Sequence, residues 1–135
     1  MKYLISLFVI VQICLIHGQD EPTIVKISRN QEKNLGDSIE LKCQVANTDD
    51  YPVMWLKDRG SKRSPQIIST DTTLAVQEDR YNLNVDKGKT TFSLRIDDLQ
   101  KRDAGLYRCE IQLSDSNVIS AEVTVKLSSD GSAFQ

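Results

Sequence analysis

Between positions 22 and 127 the chain alternates short β-rich runs with turn residues, and no window keeps a helical period. In the runs IELKCQV (39–45) and TTFSLRI (90–96), every second residue is apolar. Such alternation predicts strands that face a core on one side and water on the other. The pattern therefore predicts an all-β fold of antiparallel sheets stacked as a sandwich. Nine runs are predicted to be strands: residues 23–28, 38–45, 53–57, 66–70, 73–76, 80–85, 90–96, 105–113 and 118–127.

The first 18 residues are predicted to be a signal peptide rather than part of the fold. Lys2 precedes an apolar stretch at 3–16, and a polar boundary containing Gly18 follows it. This stretch is shorter than the roughly 20 apolar residues that span a bilayer, and no later run is longer. We therefore expect a secreted or cell-surface product without membrane insertion of the mature chain. It would have one domain at 22–127 and a flexible polar tail at 128–135.

Composition argues against several classes of function once the signal is removed. The signal contains one of the 17 Lys and Arg and none of the 19 Asp and Glu, which leaves a mild net charge of −3. This charge gives no reason to expect nucleic acid as a partner. His17 and Cys14 are also removed, so neither an imidazole nor a spare thiol remains for catalysis or zinc binding. The adjacent carboxylates at 49–50 and 97–98 are typical of solvated turns. We expect no enzymatic activity, cofactor or metal.

Two cysteines remain, Cys43 and Cys109, at inward-facing positions of two predicted strands. In a secreted chain they most simply pair with each other, which would join the two sheets. Trp55 would pack on this disulfide, and Leu94 belongs to the same predicted core. Tyr107 lies two residues before Cys109, where its hydroxyl can bond to the upstream backbone.

Cys43, Trp55 and the motif DAGLYRC (103–109) resemble the signature of an immunoglobulin domain. The two runs at 66–70 and 73–76 resemble the added C′ and C″ strands of the variable type. The resemblance implies an immunoglobulin-like, variable-type antiparallel β-sandwich with one inter-sheet disulfide. It also implies an ion pair between Arg80 and Asp103 across the loops at one end of the sandwich.

Residues 71–85 and 90–127 are similar to the first domain of lachesin-type neuronal immunoglobulin adhesion proteins, which are akin to the IgLON family. This resemblance implies extracellular cell adhesion, homophilic or with relatives, through the sheet of strands G, F, C and C′. Such proteins carry three domains and a lipid-anchor signal, whereas this chain stops after one. The mature chain also has no Asn-x-Ser/Thr sequon. We therefore expect either a soluble single-domain relative or an incomplete chain, one unit of a longer receptor.

The run VMWLK (53–57) places four apolar side chains in a row, so two of them cannot face the core. With Trp55 inside, Met54 and Leu56 face outward. An apolar centre with a polar rim predicts a docking surface for another immunoglobulin domain, or for a second copy in a weak homodimer. One of Ile67 and Ile68 is predicted to join this interface, since neighbouring residues of a strand point to opposite faces. The outward residues Arg108, Glu110 and Gln112 are its other predicted members.

Two other surfaces could bind a partner. The loops ANTDDYP (46–52) and SDSN (114–117), with Tyr51 as an anchor, would suit a soluble immune or decoy factor. A sulfated polysaccharide would find four positive charges around the turn after VMWLK. No aromatic residue and no second basic run accompany them, which favours a solvated hairpin loop. These four are Lys57, Arg59, Lys62 and Arg63.

Overall fold

Ten strands and one 3₁₀ turn make up most of residues 20–129, which are the residues that the computed structural model describes. The predicted signal peptide and most of the predicted tail lie outside this range. The 3₁₀ turn, Lys101–Asp103, is the single helical turn of this region. The strands are β1 (Thr23–Ile27), β2 (Gln31–Asn34), β3 (Ile39–Ala46), β4 (Val53–Lys57), β5 (Gln66–Thr70), β6 (Thr73–Leu74), β7 (Tyr81–Val85), β8 (Thr91–Ile96), β9 (Gly105–Ser114) and β10 (Asn117–Ser128).

The strands form a four-stranded sheet with the order β1-β3-β8-β7 and a six-stranded sheet with the order β2-β10-β9-β4-β5-β6. The prediction of an all-β, variable-type sandwich is therefore confirmed. Strand β2 was not predicted, because its sequence QEKN has no apolar residue. It pairs in parallel with the end of β10, where Ser128 stands beside Asn34, whereas the other paired strands are antiparallel. Ser128 thus belongs to the fold, one residue beyond the predicted boundary.

A disulfide between Cys43 of β3 and Cys109 of β9 joins the two sheets across the core. Trp55 stands beside Cys109 in the six-stranded sheet, and its indole Nε1 donates a hydrogen bond of 3.3 Å to the carbonyl of Phe92 in the other sheet. The two sheets are thus linked both covalently and through a buried hydrogen bond. Trp55, Leu94 and Tyr107 are all fully buried.

An extra residue in β5 places Ile68 in the core. Trp55 stands opposite Ser69 and the next residue, Leu56, stands opposite Ile67, so that Ile68 has no partner of its own on β4. Such a bulge interrupts the alternation of side chains. Ile68 and Ser69 are consequently both buried, and Ile68 packs in the core cluster. Of the two alternatives for the predicted interface, Ile67 is therefore the exposed one, and Ile68 does not belong to it.

We expect the variant Cys43→Ala, Cys109→Ala to lower the free energy of unfolding by about 2–5 kcal/mol, because it releases a closed loop in the unfolded chain. Urea unfolding monitored by Trp55 fluorescence measures this loss. Wild-type protein under reducing conditions is the control and should unfold at the same midpoint as the variant. Equal stability of the variant and the oxidised wild type would contradict the central role of the disulfide.

Candidate functional site

Strand register determines which side chains stand together on the side of β5, β4, β9 and β10 that faces away from the core. We call this surface the outer face. Side chains that stand opposite each other on these strands form rows across the sheet. The first row is Ile67, Leu56, Arg108 and Glu122, and the second is Thr70, Met54, Glu110 and Ser120. A third row contains Gln112 and Val118, which also stand side by side.

Exposure on the outer face differs from the predicted pattern. Leu56 was expected to be an exposed centre, but only 7% of it is accessible and it lies outside the core cluster. Its neighbours across the strands are Ile67 and Arg108, whose long side chains stand where they can cover it. The exposed aliphatic residues of the face are Ile67 at 45% and Val118 at 43%, while Met54 is half-buried.

The charged side chains of the outer face form a pair along β9. Arg108 Nε lies 3.4 Å from Glu110 Oε2, and both side chains are mostly covered. This Nε atom is buried without hydrogen-bond geometry to any partner in residues 20–129. The predicted apolar centre with a polar rim is therefore replaced by two halves. The β4 and β5 half is aliphatic and the β9 half carries the ion pair, while Val118 of β10 lies beyond that pair, beside Gln112.

The outer surface of the four-stranded sheet provides a contrast, because its middle strands present only polar side chains. Register places Glu40, Arg95 and Asn82 in one row across β3, β8 and β7. The next row is Lys42, Ser93 and Asn84. Of the two sheets, the six-stranded one alone therefore has aliphatic residues clustered on the outside of its central strands.

The loops offer less surface than the loop hypothesis requires. Tyr51 is exposed in the connection between β3 and β4, where Asn47 and Asp49 have positive φ values of 59° and 41°. The connection between β9 and β10 consists only of residues 115–116. Two residues form a tight hairpin turn rather than a binding loop.

Asp103 and Arg80 meet at the end of the sandwich that contains the 3₁₀ turn. Arg80 Nη1 and Nη2 donate to the two carboxylate oxygens of Asp103 at 2.7 and 3.2 Å. The Tyr81 hydroxyl and the Gln100 backbone N–H also donate to this carboxylate, at 3.3 and 2.7 Å. The Tyr107 hydroxyl donates to the Asp103 backbone carbonyl at 2.5 Å. Since Asp103 is fully buried, these bonds satisfy a charge that burial alone would make costly.

The protonation of these groups follows from burial and hydrogen bonding. Burial acts to raise the pKa of Asp103, but hydrogen bonds from Arg80, Gln100 and Tyr81 outweigh it and hold that pKa below 3.8. Burial, with the nearby Asp103 charge, raises the pKa of Tyr81 to about 12. Burial likewise raises the pKa of Tyr107. The site is therefore an ionised carboxylate held by neutral phenols and a guanidinium, which is a structural arrangement.

Two further features bear on function. Within residues 20–129, no three His, Cys, Asp or Glu side chains gather closely enough to hold a metal ion. The same part of the chain contains no helix of the length and apolar character needed to cross a bilayer.

Residues 27–128 match the family model of the immunoglobulin V-set domain. The chain belongs to the immunoglobulin V-set family. It is 39% identical over 114 residues to lachesin of Schistocerca americana, a match that covers 84% of this chain and 33% of that protein. With lachesin of Drosophila melanogaster it shares 35% identity over 110 residues, covering 82% and 30%. The chain thus spans about a third of the length of these relatives.

Solved structures share the fold of this V-set domain. A chain of the crystal structure of Dpr1 IG1 bound to DIP-eta IG1 matches with a TM-score of 0.68 and 24% identity, covering 78% of this chain and 95% of that one. A chain of Dpr2 Ig1-Ig2 in complex with DIP-Theta Ig1-Ig3 matches with a TM-score of 0.70 and 20% identity, covering 83% and 49%. At these identities the likeness is one of fold.

We expect Asp103→Asn to lower the free energy of unfolding at neutral pH by about 3 kcal/mol, because it removes the buried carboxylate that Arg80 binds through two nitrogens and leaves Arg80 only the more exposed carboxylate of Glu78 at 3.3 Å. Because the pKa of Asp103 is lower in the folded chain than its ordinary value of 3.8, the ionised carboxylate stabilises the fold above pH 3.8. This contribution is lost as the pH falls through the lower pKa of the folded state. The stability gap between wild type and variant should therefore narrow as the pH falls below the ordinary aspartate pKa of 3.8. Denaturant unfolding over a pH series measures it.

The control for this prediction is Glu40→Gln, which breaks the exposed pair between Lys42 and Glu40 at 3.5 Å. Its effect should stay within about 1 kcal/mol. The account of Asp103 fails if Asp103→Asn costs no more than this control, or if its cost is independent of pH.

Proposed function

We propose that this V-set domain is an extracellular protein–protein recognition module of the cell-adhesion kind. It docks the outer face of β10, β9, β4 and β5 against another immunoglobulin-type domain, or against the same face of a second copy. The similarity to lachesin supports this class of function. Two solved structures that share this fold are complexes of Dpr and DIP immunoglobulin domains, which supports the class of partner.

The observation that carries the proposal is the difference between the two sheet surfaces. The outer face combines exposed Ile67 and Val118 with half-buried Met54, whereas the central strands of the other sheet are polar outside. Burying such aliphatic side chains against a partner is favourable by about 25 cal/mol per Å². A flat sheet surface with aliphatic and charged halves suits a partner that is itself a sheet.

The pair Arg108 and Glu110 would give this docking its selectivity. Both side chains lie beside the aliphatic half of the face, and a partner would remove the remaining water from them. A charge pair that loses water requires matched polar groups across the interface, so that a partner with the wrong charges is rejected. Aliphatic contact would thus supply affinity, while the ion pair restricts the choice of partner.

We expect Ile67→Glu and Val118→Glu each to weaken association about tenfold or more, equivalent to about 1.4 kcal/mol, because each buries a charge in an aliphatic contact. Leu56 is unsuitable for this test, since its burial makes a charged variant unstable. The matched control is Val25→Glu, at a side chain that is 58% exposed on β1. Thermal unfolding of each variant verifies the fold.

Two probes measure the association: the wild-type domain itself, by sedimentation velocity over a concentration series, and the lachesin ectodomain of Schistocerca americana, by surface plasmon resonance. The proposal predicts binding to at least one probe, with loss for Ile67→Glu and Val118→Glu but not for Val25→Glu. Absence of binding to both probes would overturn it. So would loss of binding in Tyr51→Ala with the outer-face variants unaffected, which would assign binding to the loops.

A further inference from the structure

A cavity of about 320 Å³ opens at the end of the sandwich that contains the 3₁₀ turn, away from the centre of the outer face. Lys57, Arg59 and Arg63 line it, from the end of β4 and the following loop. Arg102, from the 3₁₀ turn, lines it as well. The sequence pattern favoured a solvated loop because no second basic run accompanied the first. In the folded chain, Arg102 adds a positive charge to this loop from a distant segment.

The acidic residues of the cavity are engaged within the protein. Asp103 accepts hydrogen bonds from both terminal nitrogens of Arg80, and Asp58 Oδ1 accepts one from the Gly60 backbone N–H at 2.9 Å. Glu78 Oε1 accepts from Arg80 at 3.3 Å and from Arg102 at 2.7 Å. Arg80 and Arg102 thus offset the charges of Asp103 and Glu78, whereas Asp58 is held by a backbone N–H and keeps its negative charge.

Three of the four cations, by contrast, have no carboxylate partner in residues 20–129. Arg59 Nε donates to the carbonyl of Ser64 at 2.8 Å, and Lys57 Nζ donates to the carbonyl of Arg102. Within the same residues, the Arg63 side chain makes no hydrogen bond or ion pair. The cavity thus presents the Arg59 and Arg63 guanidinium groups without an ion-pair partner in these residues, beside carboxylates that also line it.

Lys57 is the partly buried cation of this cavity. Burial lowers the pKa of Lys57; the Asp103 charge opposes this change, and the Arg102 charge adds to it with a smaller effect. An anion in the cavity would favour the charged form of this lysine.

We propose that this cavity binds a sulfate group of a sulfated polysaccharide, with Arg59, Arg63, Arg102 and Lys57 as its contacts. Guanidinium forks match the oxygens of such an anion. Lys62, exposed in the same loop, extends the charge beyond the cavity for the next sulfate of the polymer. The lining offers a peptide no exposed aromatic or aliphatic anchor, because its aromatic residue, Tyr81, is buried. A densely charged polymer therefore fits this cavity better than an acidic peptide.

The test measures binding of a heparin-derived octasaccharide by isothermal titration calorimetry at low and at physiological salt. We expect Arg59→Glu, Arg63→Glu to weaken binding about tenfold or more, because two attractive charges become repulsive. Arg63→Glu alone, which removes no hydrogen bond of the fold, should weaken binding to a smaller extent. The control Lys26→Glu, Lys87→Glu makes the same change of charge at exposed positions outside the cavity and should alter the affinity less than about twofold.

Chemically desulfated heparin and polyglutamate serve as competing probes. The proposal predicts that neither displaces the octasaccharide at equal charge concentration. It is overturned if the wild type does not bind the octasaccharide at low salt, or if the control variant loses as much affinity as the cavity variant. Competition by polyglutamate as effective as that by heparin would also overturn it, since the cavity would then recognise acidic peptides.

Discussion

The disulfide between Cys43 and Cys109 is the constraint on which the rest of the structure depends. It requires Cys109 to point between the sheets, so its neighbours Arg108 and Glu110 must point outward. Because Trp55 stands beside Cys109, the same bond orients β4. A slip of one residue in either strand would exchange the core side for the solvent side. A single covalent link between the sheets thus determines which side chains the molecule presents on its outer face.

Asp103 organises the end of the sandwich that contains the 3₁₀ turn. Its carboxylate holds Arg80 and Tyr81 from the start of β7, and its carbonyl accepts the Tyr107 hydroxyl from β9. The same turn positions Arg102 at the cavity that Lys57 also lines. Stability and surface chemistry are therefore coupled here, since the residues that close the core also hold the cations of the cavity in place.

The alternation of apolar residues predicted the sandwich, because it is a local pattern. The partner of Arg80 was implied by the resemblance to variable-type immunoglobulin domains. The sequence did not predict four features that depend on contacts between distant segments. Ile68 enters the core through a bulge, and Leu56 is buried by neighbours on other strands. β2 has no apolar signal and exists because it pairs with β10. Arg102 joins the basic loop only after the chain has folded.

The central claim is that the register set by Cys109 and Trp55 presents a docking surface on the six-stranded sheet. Its most direct test is ¹⁵N–¹H NMR of the labelled domain, first over a concentration series and then with unlabelled Schistocerca americana lachesin ectodomain. The account predicts amide shift changes concentrated in β4, β5, β9 and β10, with β3, β7 and β8 unchanged. Changes confined to residues 46–52 and 114–117 or to the four-stranded sheet, or no changes with either probe, would contradict it.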